Sequence, residues 1–154
     1  MRTNGMTIAL SAPWASANGE ALETHHEGAH GGLMGTLTTH VLDTSRGRPG
    51  AGVRVELYRV DGKTPALLSK AVTNRDGRTD KPLADGDGFV AGTYQIVFYM
   101  GEYFSAAGSG TGTAGGAASF VDVVPVRFHI ADAGQHYHVP LLCSPWSYTT
   151  YRGS

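Results

Sequence analysis

From Leu37 to residue 152, apolar and polar residues alternate with a period of two. Side chains two residues apart share one face of a strand, so this period favours half-buried strands over an amphipathic helix. The clearest segment is VRVELY at 53–58, which would bury Val53, Val55 and Leu57. Gly-containing turn signals, such as Asp61-Gly62, separate the segments. Further strands are predicted over residues 37–43, 67–73, 92–99, 120–130, 136–143 and 148–152.

The spacing of these strands predicts the fold class. About seven or eight short strands with turns roughly every 8–12 residues are typical of an antiparallel β-sandwich. Pro125 has no amide hydrogen to donate, so its strand is expected at a sheet edge or irregular at that point. A short helix is expected over residues 101–107, with Tyr103 and Phe104 as its buried aromatics. The sequence therefore predicts an all-β sandwich with one short helix.

Two segments depart from this pattern. Residues 1–33 mix small and polar residues without a sustained period, so we expect a flexible N-terminal extension before a domain over residues 34–154. Residues 108–118 are rich in Gly and predict a surface insertion. Residues 1–17 carry a weak export-leader pattern. The predicted location is the cytoplasm, with the periplasm as the alternative if residues 1–17 act as an export signal.

Composition narrows the classes of partner. The chain has 12 Lys and Arg against 13 Asp and Glu, whereas nucleic-acid binding needs clustered excess base. No apolar run reaches the roughly 18 residues that would span a bilayer. The single cysteine, Cys143, excludes an intramolecular disulfide and a zinc site of the CxxC type. We therefore expect neither nucleic acid nor a membrane as a partner.

Histidine is the residue type that points most directly to chemistry. Four histidines lie in the strand-forming part, at His40, His129, His136 and His138. His136 and His138 share one face of their strand, and His40 shares its face with Thr38. Imidazole titrates near neutral pH, so such a set can act as general acid and base. A three-histidine zinc site is the alternative use.

Two further positions carry candidate chemistry. Arg78 follows the Asp76-Gly77 turn, where a guanidinium can donate two hydrogen bonds to a carboxylate, an imide or an oxyanion. Residues 151–154, YRGS, combine an aromatic ring, a fixed charge and a flexible glycine. An aromatic strand leads directly into this segment. We therefore expect the segment to be held in place rather than frayed.

Four motifs carry a family resemblance. They read LTTHVLDTSRGRP at 37–49, NRDGR at 74–78, HYHVPLL at 136–142 followed by Ser144-Pro145, and YTTYRGS at 148–154. Together they closely resemble the 5-hydroxyisourate hydrolases, the enzymatic relatives of transthyretin, over residues 35–154. The resemblance implies a transthyretin-like sandwich of two four-stranded sheets. It also implies a homotetramer, a dimer of dimers, with active sites at the interface between dimers.

The resemblance further implies a reaction and the residues that perform it. The reaction is hydrolysis of 5-hydroxyisourate, a purine-derived small molecule, to 2-oxo-4-hydroxy-4-carboxy-5-ureidoimidazoline in urate catabolism. A ring acyl C–N bond is opened, with no cofactor and no metal. The motifs assign the catalytic roles to His40, Arg78 and His138, and substrate binding to His40, Arg78, Tyr151, Arg152 and Ser154. Which histidine is the base and which is the acid stays open.

Two other functions compete with this one. A transthyretin-like carrier would bind a small aromatic molecule without turnover, but His40 and Arg78 would make its channel polar and penalise an apolar ligand. A metal-binding protein would hold zinc or copper with the strand histidines and with His25, His26 and His30. Turnover separates the enzyme from the carrier. Activity that survives a chelator separates the enzyme from the metal-binding protein.

Overall fold

The computed structural model describes residues 34–108 and 119–153. The predicted extension at 1–33 with its histidines, most of the predicted insertion at 108–118, and Ser154 lie outside the described residues. The described chain forms strands, one α-helix and a 3-10 helix. In order these are β1 Thr36–Asp43, β2 Arg48–Pro49, β3 Arg54–Arg59, β4 Ala66–Val72, β5 Ala84–Asp85, the 3-10 helix Gly86–Gly88, β6 Gly92–Tyr99, α1 Met100–Ala106, β7 Val123–Ile130, β8 Tyr137–Cys143 and β9 Tyr148–Thr150.

The strands form two sheets. The first has the order β2-β1-β8-β9, with the two-residue β5 also paired to β1, and the second has the order β4-β3-β6-β7. The predicted all-β sandwich with one short helix is confirmed. Alternation alone did not reveal that the central pair of the first sheet, β1 and β8, is parallel. The other strand pairs in the described part of the chain are antiparallel.

The core lies between the sheets and follows the predicted alternation. Val53, Val55 and Leu57 are fully buried on one side. In α1, the buried rings of Tyr103 and Phe104 pack edge to face with centroids 5.2 Å apart. Removing an apolar side chain of this size from water contributes about 1.5–3 kcal/mol. These residues therefore fix the two sheets that carry the polar side chains described below.

The outer face of the first sheet presents those polar side chains. Along β1 every second side chain is buried, which leaves Thr36, Thr38 and His40 on the half-buried outer face. In the parallel pairing, Thr38 lies opposite His138 and His40 lies opposite Pro140. The period of two in each strand, together with this register, brings two histidine-bearing strands into contact.

The second sheet ends at β7, which forms its edge. The predicted edge position of Pro125 is therefore confirmed, and Pro125 lies opposite Val97 in the pairing of β6 with β7. The strand begins at Val123 rather than at Phe120, whose side chain is 85% exposed. No helix among the described residues is long and apolar enough to cross a membrane.

Candidate active site

A tight turn places Arg78 against the edge of β1. The side-chain oxygen of Asn74 accepts hydrogen bonds from the backbone N–H groups of Asp76 and Arg78, at 3.0 and 3.2 Å. Gly77 has a φ of 72°, a conformation that residues with a Cβ rarely adopt. A Cβ at this position would also collide with the carbonyl oxygen of Val41. Glycine therefore lets the turn dock closely, and Arg78 forms an antiparallel bridge with His40.

Beside this turn the outer face of the first sheet contains a cavity of about 310 Å³. We call it the polar cavity. It is lined by Thr38, Thr39, Arg78, Thr79, His136 and His138. Two of the three predicted catalytic residues, Arg78 and His138, thus line one cavity. The third, His40, adjoins it through its backbone bridge to Arg78.

Threonine hydroxyls hold the two imidazoles of the polar cavity. Thr38 Oγ1 lies 2.9 Å from His138 Nδ1 and 3.3 Å from His136 Nε2. Thr36 Oγ1 lies 2.5 Å from His136 Nδ1. The hydroxyls and rings therefore form a continuous hydrogen-bonded row from His138 to Thr36, along the strand pair.

His40 differs from these histidines in its surroundings. Its Nε2 is buried and has no hydrogen-bond partner among the described residues. Burial lowers the pKa of His40, and the positive charge of Arg78 lowers it further, although the backbone and charge of Asp76 oppose the change. A buried nitrogen without a partner costs free energy unless a ligand or water satisfies it. His40 Nε2 is therefore available to form a hydrogen bond with a ligand.

The pKa of His138 is also lowered. Burial is the main cause, and the neighbouring Arg78, His40 and His136 add electrostatic repulsion of the protonated ring. A lowered pKa keeps an imidazole neutral at neutral pH, with one nitrogen free to accept a proton. The site therefore joins two neutral imidazoles to one permanent positive charge, a set suited to proton transfer and to stabilising a developing oxyanion.

The end of the described chain holds His138 in place. The backbone N–H of Gly153 donates a 2.7 Å hydrogen bond to the carbonyl oxygen of His138. A Cβ on Gly153 would lie only 2.7 Å from Cδ2 of the His138 ring. Glycine thus lets the terminal segment approach the His138 ring closely, whereas a residue with a Cβ would force the segment and the ring apart. The expectation that this segment is held in place is consistent with this bond.

Tyr151 and Arg152 lie elsewhere. They line a second cavity of about 340 Å³, which we call the aromatic cavity. Its lining consists of Val126, Arg127, Phe128, His129, Ala131, Tyr137, Val139, Thr150, Tyr151 and Arg152. The guanidinium of Arg152 lies over the Tyr137 ring, 4.6 Å from its centroid, and donates a 2.9 Å hydrogen bond to Gln135. Within one chain, these two predicted substrate-binding residues are therefore separate from the polar cavity.

The alternative prediction of a metal site can be compared with the arrangement of the possible ligands. Within residues 34–108 and 119–153, no three His, Cys, Asp or Glu side chains are close enough to hold a metal ion. The strand histidines of one chain therefore form no such group.

The residues that sequence reasoning missed are Thr36 and Thr38 as hydrogen-bond partners of the histidines. Their period-two spacing with His40 places them on the same face of β1 and is visible in the sequence. That β8 pairs with β1 is not visible in the sequence, so the histidine partners could not be inferred.

Comparison with known proteins identifies relatives of the whole described domain. Residues 37–153 match the model of the HIUase/Transthyretin family. The chain is 52% identical over 120 residues to 5-hydroxyisourate hydrolase 2 of Rhizobium meliloti, covering 78% of this chain and 97% of that protein. The solved structure of Klebsiella pneumoniae 5-hydroxyisourate hydrolase covers 79% of this chain and is fully covered by it, with a TM-score of 0.64 and 34% identity.

A second solved structure belongs to a longer protein. The crystal structure of (S)-allantoin synthase has a TM-score of 0.68 and 46% identity to this chain, and covers 78% of it. This chain spans only 44% of that protein. The likeness therefore concerns one part of a larger molecule.

Proposed function

The chain belongs to the HIUase/Transthyretin family, and on that premise we propose that it hydrolyses 5-hydroxyisourate in the polar cavity. The catalytic residues of this proposal are His40, Arg78 and His138. The product is 2-oxo-4-hydroxy-4-carboxy-5-ureidoimidazoline, formed in the degradation of urate. The relatives of similar length that carry this activity in their names support the choice of substrate.

One observation carries the assignment of the site. His40 Nε2 is buried without a partner, next to an arginine and to a second histidine whose pKa is also lowered. A purely structural histidine would normally have both ring nitrogens satisfied or exposed. A water or substrate atom bound at Nε2 would supply the missing hydrogen bond. This is where the proposed reaction takes place.

The reaction needs two proton transfers. As the oxygen of water bonds to a ring carbonyl carbon, one histidine accepts a proton from that water. That proton passes to the other histidine, which donates it to the departing ring nitrogen as the acyl C–N bond breaks, so that both rings end neutral. His40 and His138 are the two groups available for these steps, and both are held largely neutral by burial and by Arg78. Acid–base groups of this kind contribute roughly 10²–10⁴ in rate.

Arg78 stabilises the negative charge that develops between these steps. Arg78 lines the polar cavity, and its positive charge acts on both histidines. A fixed donor aimed at the carbonyl oxygen binds more strongly as that oxygen becomes an oxyanion. The proposal uses no cofactor and no metal, since the side chains of the cavity supply both proton transfer and charge stabilisation.

Substrate binding is proposed to involve more than one copy of the chain. Tyr151 and Arg152 line the aromatic cavity and not the polar cavity of their own chain, and Tyr151 is 57% exposed. In a homotetramer, a dimer of dimers with sites at the interface between dimers, these two residues would complete a polar cavity of another subunit. Activity per chain should then fall on dilution as the tetramer dissociates, which analytical ultracentrifugation and turnover at matched concentrations would measure.

The deciding experiment is an ultraviolet assay with freshly generated 5-hydroxyisourate. We expect the protein to accelerate decay of the substrate signal well above the spontaneous rate, and to do so after treatment with a chelator. Decay at the spontaneous rate with active, correctly assembled protein would reject the proposal. Loss of activity on chelation would favour the metal-binding alternative.

Cellular location is a separate prediction. We propose the cytoplasm, where the buried Cys143 thiol would stay reduced. Fractionation of the cells that produce the protein tests this. A protein recovered from the periplasm with residues 1–17 removed would instead establish export.

A further inference from the structure

Thr38 is the shared neighbour of two histidines on the wall of the polar cavity. Its Oγ1 lies 2.9 Å from His138 Nδ1 and 3.3 Å from His136 Nε2. A contact of 3.5 Å to the Tyr137 carbonyl oxygen is too long to compete strongly. The row continues outward, because Thr36 Oγ1 lies 2.5 Å from the other nitrogen of His136. Every polar atom between His138 Nδ1 and Thr36 therefore has a neighbour on each side.

The chemistry of a hydroxyl restricts how this row can be protonated. Threonine has one hydrogen to donate and can accept from a second group. In one arrangement, His138 Nδ1–H donates to Thr38, and Thr38 donates to His136. His138 Nε2 then carries a lone pair and can accept a proton from water. In the reverse arrangement, His136 Nε2–H donates to Thr38, Thr38 donates to His138 Nδ1, and His138 Nε2 carries the hydrogen.

We infer that Thr38 is a positioning residue that sets the ring tautomer of His138 and passes its proton to His136 during turnover. This inference rests on the proposed hydrolytic function. When His138 Nε2 takes a proton from the attacking water, His138 Nδ1 releases its proton to Thr38 Oγ1. The hydrogen of the Thr38 hydroxyl moves to His136 Nε2, so one proton enters the row and one positive charge ends on His136. The reverse transfer returns the proton to His138, from which it passes to His40 and then to the departing nitrogen.

The charges around the row favour this direction of transfer. His138 is half-buried, and Arg78 and His40 both disfavour a positive charge on its ring. His136 is exposed at the outer end of the row, where water can solvate the charge. The nearby acidic group, Asp76, acts on His40, where its charge and backbone oppose the lowering of the pKa by Arg78. Moving the proton outward to His136 therefore separates its positive charge from Arg78, the cation that binds the oxyanion.

Two substitutions at Thr38 separate the hydroxyl from the side-chain shape. Thr38→Val keeps the branched shape and removes the hydroxyl, and should lower kcat about tenfold or more, part of the roughly 10²–10⁴ that acid–base catalysis supplies. Thr38→Ser keeps the hydroxyl and should retain most of kcat, and KM should change little in both. A loss in Thr38→Ser equal to that in Thr38→Val, or an effect on KM alone, would overturn the inference.

A matched control comes from the second sheet. Thr93 Oγ1 lies 3.5 Å from His129 Nδ1, so Thr93→Val makes the same chemical change at a Thr–His pair away from the polar cavity. We expect this variant to keep wild-type kcat. A drop equal to that of Thr38→Val would show that removal of any strand hydroxyl beside a histidine is harmful, and would reject a special role for Thr38.

A double-mutant cycle tests the link to His136. If His136 acts through Thr38, His136→Gln lowers kcat in the wild-type background but adds nothing to Thr38→Val. The pH profile of kcat should change in the same way in both single variants. Losses that multiply in the double variant would mean that His136 acts independently, and the relay would be rejected.

Nuclear magnetic resonance provides a readout that needs no turnover. The ¹⁵N shifts of the His138 ring report which nitrogen carries the proton, and a His138→Gln variant assigns the signals. Thr38→Val and His136→Gln should each change the His138 tautomer population, whereas Thr93→Val should not. An unchanged population in all three overturns the relay. Should wild-type protein lack activity on 5-hydroxyisourate, this measurement still decides the inference separately from the proposed function.

Discussion

Two of the cavities of this domain, the polar cavity and the aromatic cavity, have nearly the same volume and different chemistry. The polar cavity, at about 310 Å³, and the aromatic cavity, at about 340 Å³, each contain histidine and arginine side chains. In the polar cavity, the His138 ring contacts a threonine hydroxyl at 2.9 Å, and burial and Arg78 lower its pKa. In the aromatic cavity, His129 is exposed, and its Nδ1 lies a long 3.5 Å from Thr93 Oγ1.

Neither the volume of a cavity nor the residue types in its lining identifies a functional site by itself. What distinguishes the polar cavity is convergence, because separate segments of the chain supply Arg78, His138 and the adjoining His40. Each is held by a contact that the sequence makes specific, such as the close approach of Gly153 to His138. Burial and neighbouring charges shift the pKa values of groups that converge in a cleft, and such shifts mark candidate functional sites.

The largest predicted effect contrasts one histidine from each cavity. His138→Ala should lower kcat about 10²–10⁴-fold, because it removes a group that transfers a proton in the reaction. His129→Ala should leave kcat within about twofold, because no proton transfer of the proposed mechanism uses its ring. Steady-state kinetics measure both, and size-exclusion chromatography checks assembly. Comparable losses in the two variants would show that the cavities have been assigned the wrong roles. His40→Ala should behave like His138→Ala.

Arg78→Ala is expected to have the next largest effect. Removing one donor to an oxyanion costs about 10²–10³ in kcat. The positive charge of Arg78 lowers the pKa values of His40 and His138, so its removal should raise both. The acidic limb of the kcat/KM profile, where the base becomes protonated, should therefore move to higher pH. A limb that stays in place would mean that neither histidine is the base.

A smaller effect is expected from the contact that holds His138. Gly153→Ala places a methyl group 2.7 Å from Cδ2 of the ring, so the ring or the terminal segment must move. A displacement of about 1 Å can lower kcat up to about 100-fold. Gly88→Ala is the control, because a Cβ there meets no atom within 4 Å. Deleting residues 153–154 should also impair turnover, and a fully active truncation would remove this segment from the mechanism.

The smallest effect tests whether the aromatic cavity contributes to the polar cavity of another subunit. Tyr151→Ala should raise KM about 2- to 10-fold, the range that corresponds to an aromatic contact of about 0.5–1.5 kcal/mol. Tyr151→Phe should keep a value near that of the wild type. An unchanged KM in Tyr151→Ala would confine substrate binding to the polar cavity.

Much of the fold could be predicted from local pattern. The alternation of Val53, Val55 and Leu57, the bounds of β6 at residues 92–99, and the short helix with Tyr103 all depend on neighbouring residues, and all are confirmed. β2 and β5 have two residues each, too few to display a period. These strands exist because β1 offers them hydrogen-bonding groups, which local sequence does not record.

The site could be predicted only in part. Spacing placed His136 and His138 on one face, residue chemistry pointed to His40 and Arg78, and the family resemblance selected His138 over His136. The role of Thr38 depends on the parallel register that sets it opposite His138, a pairing between residues 100 positions apart. Whether Tyr151 lies in the same site depends on other copies of the chain. Long-range register and assembly are therefore where local reasoning ends.

The parallel pairing of β1 with β8 has a consequence for how the protein gains activity as it folds. Pairing β1 with β8 closes a long loop, and the chain loses entropy before the stabilising contacts between the two strands form. Strand pairs of this kind therefore form slowly. A nascent chain that has not yet produced β8 has no partner for His40 and no proton-transfer pair. Recovery of turnover during refolding should therefore follow the closure of this loop, later than the local hairpin of β3 and β4.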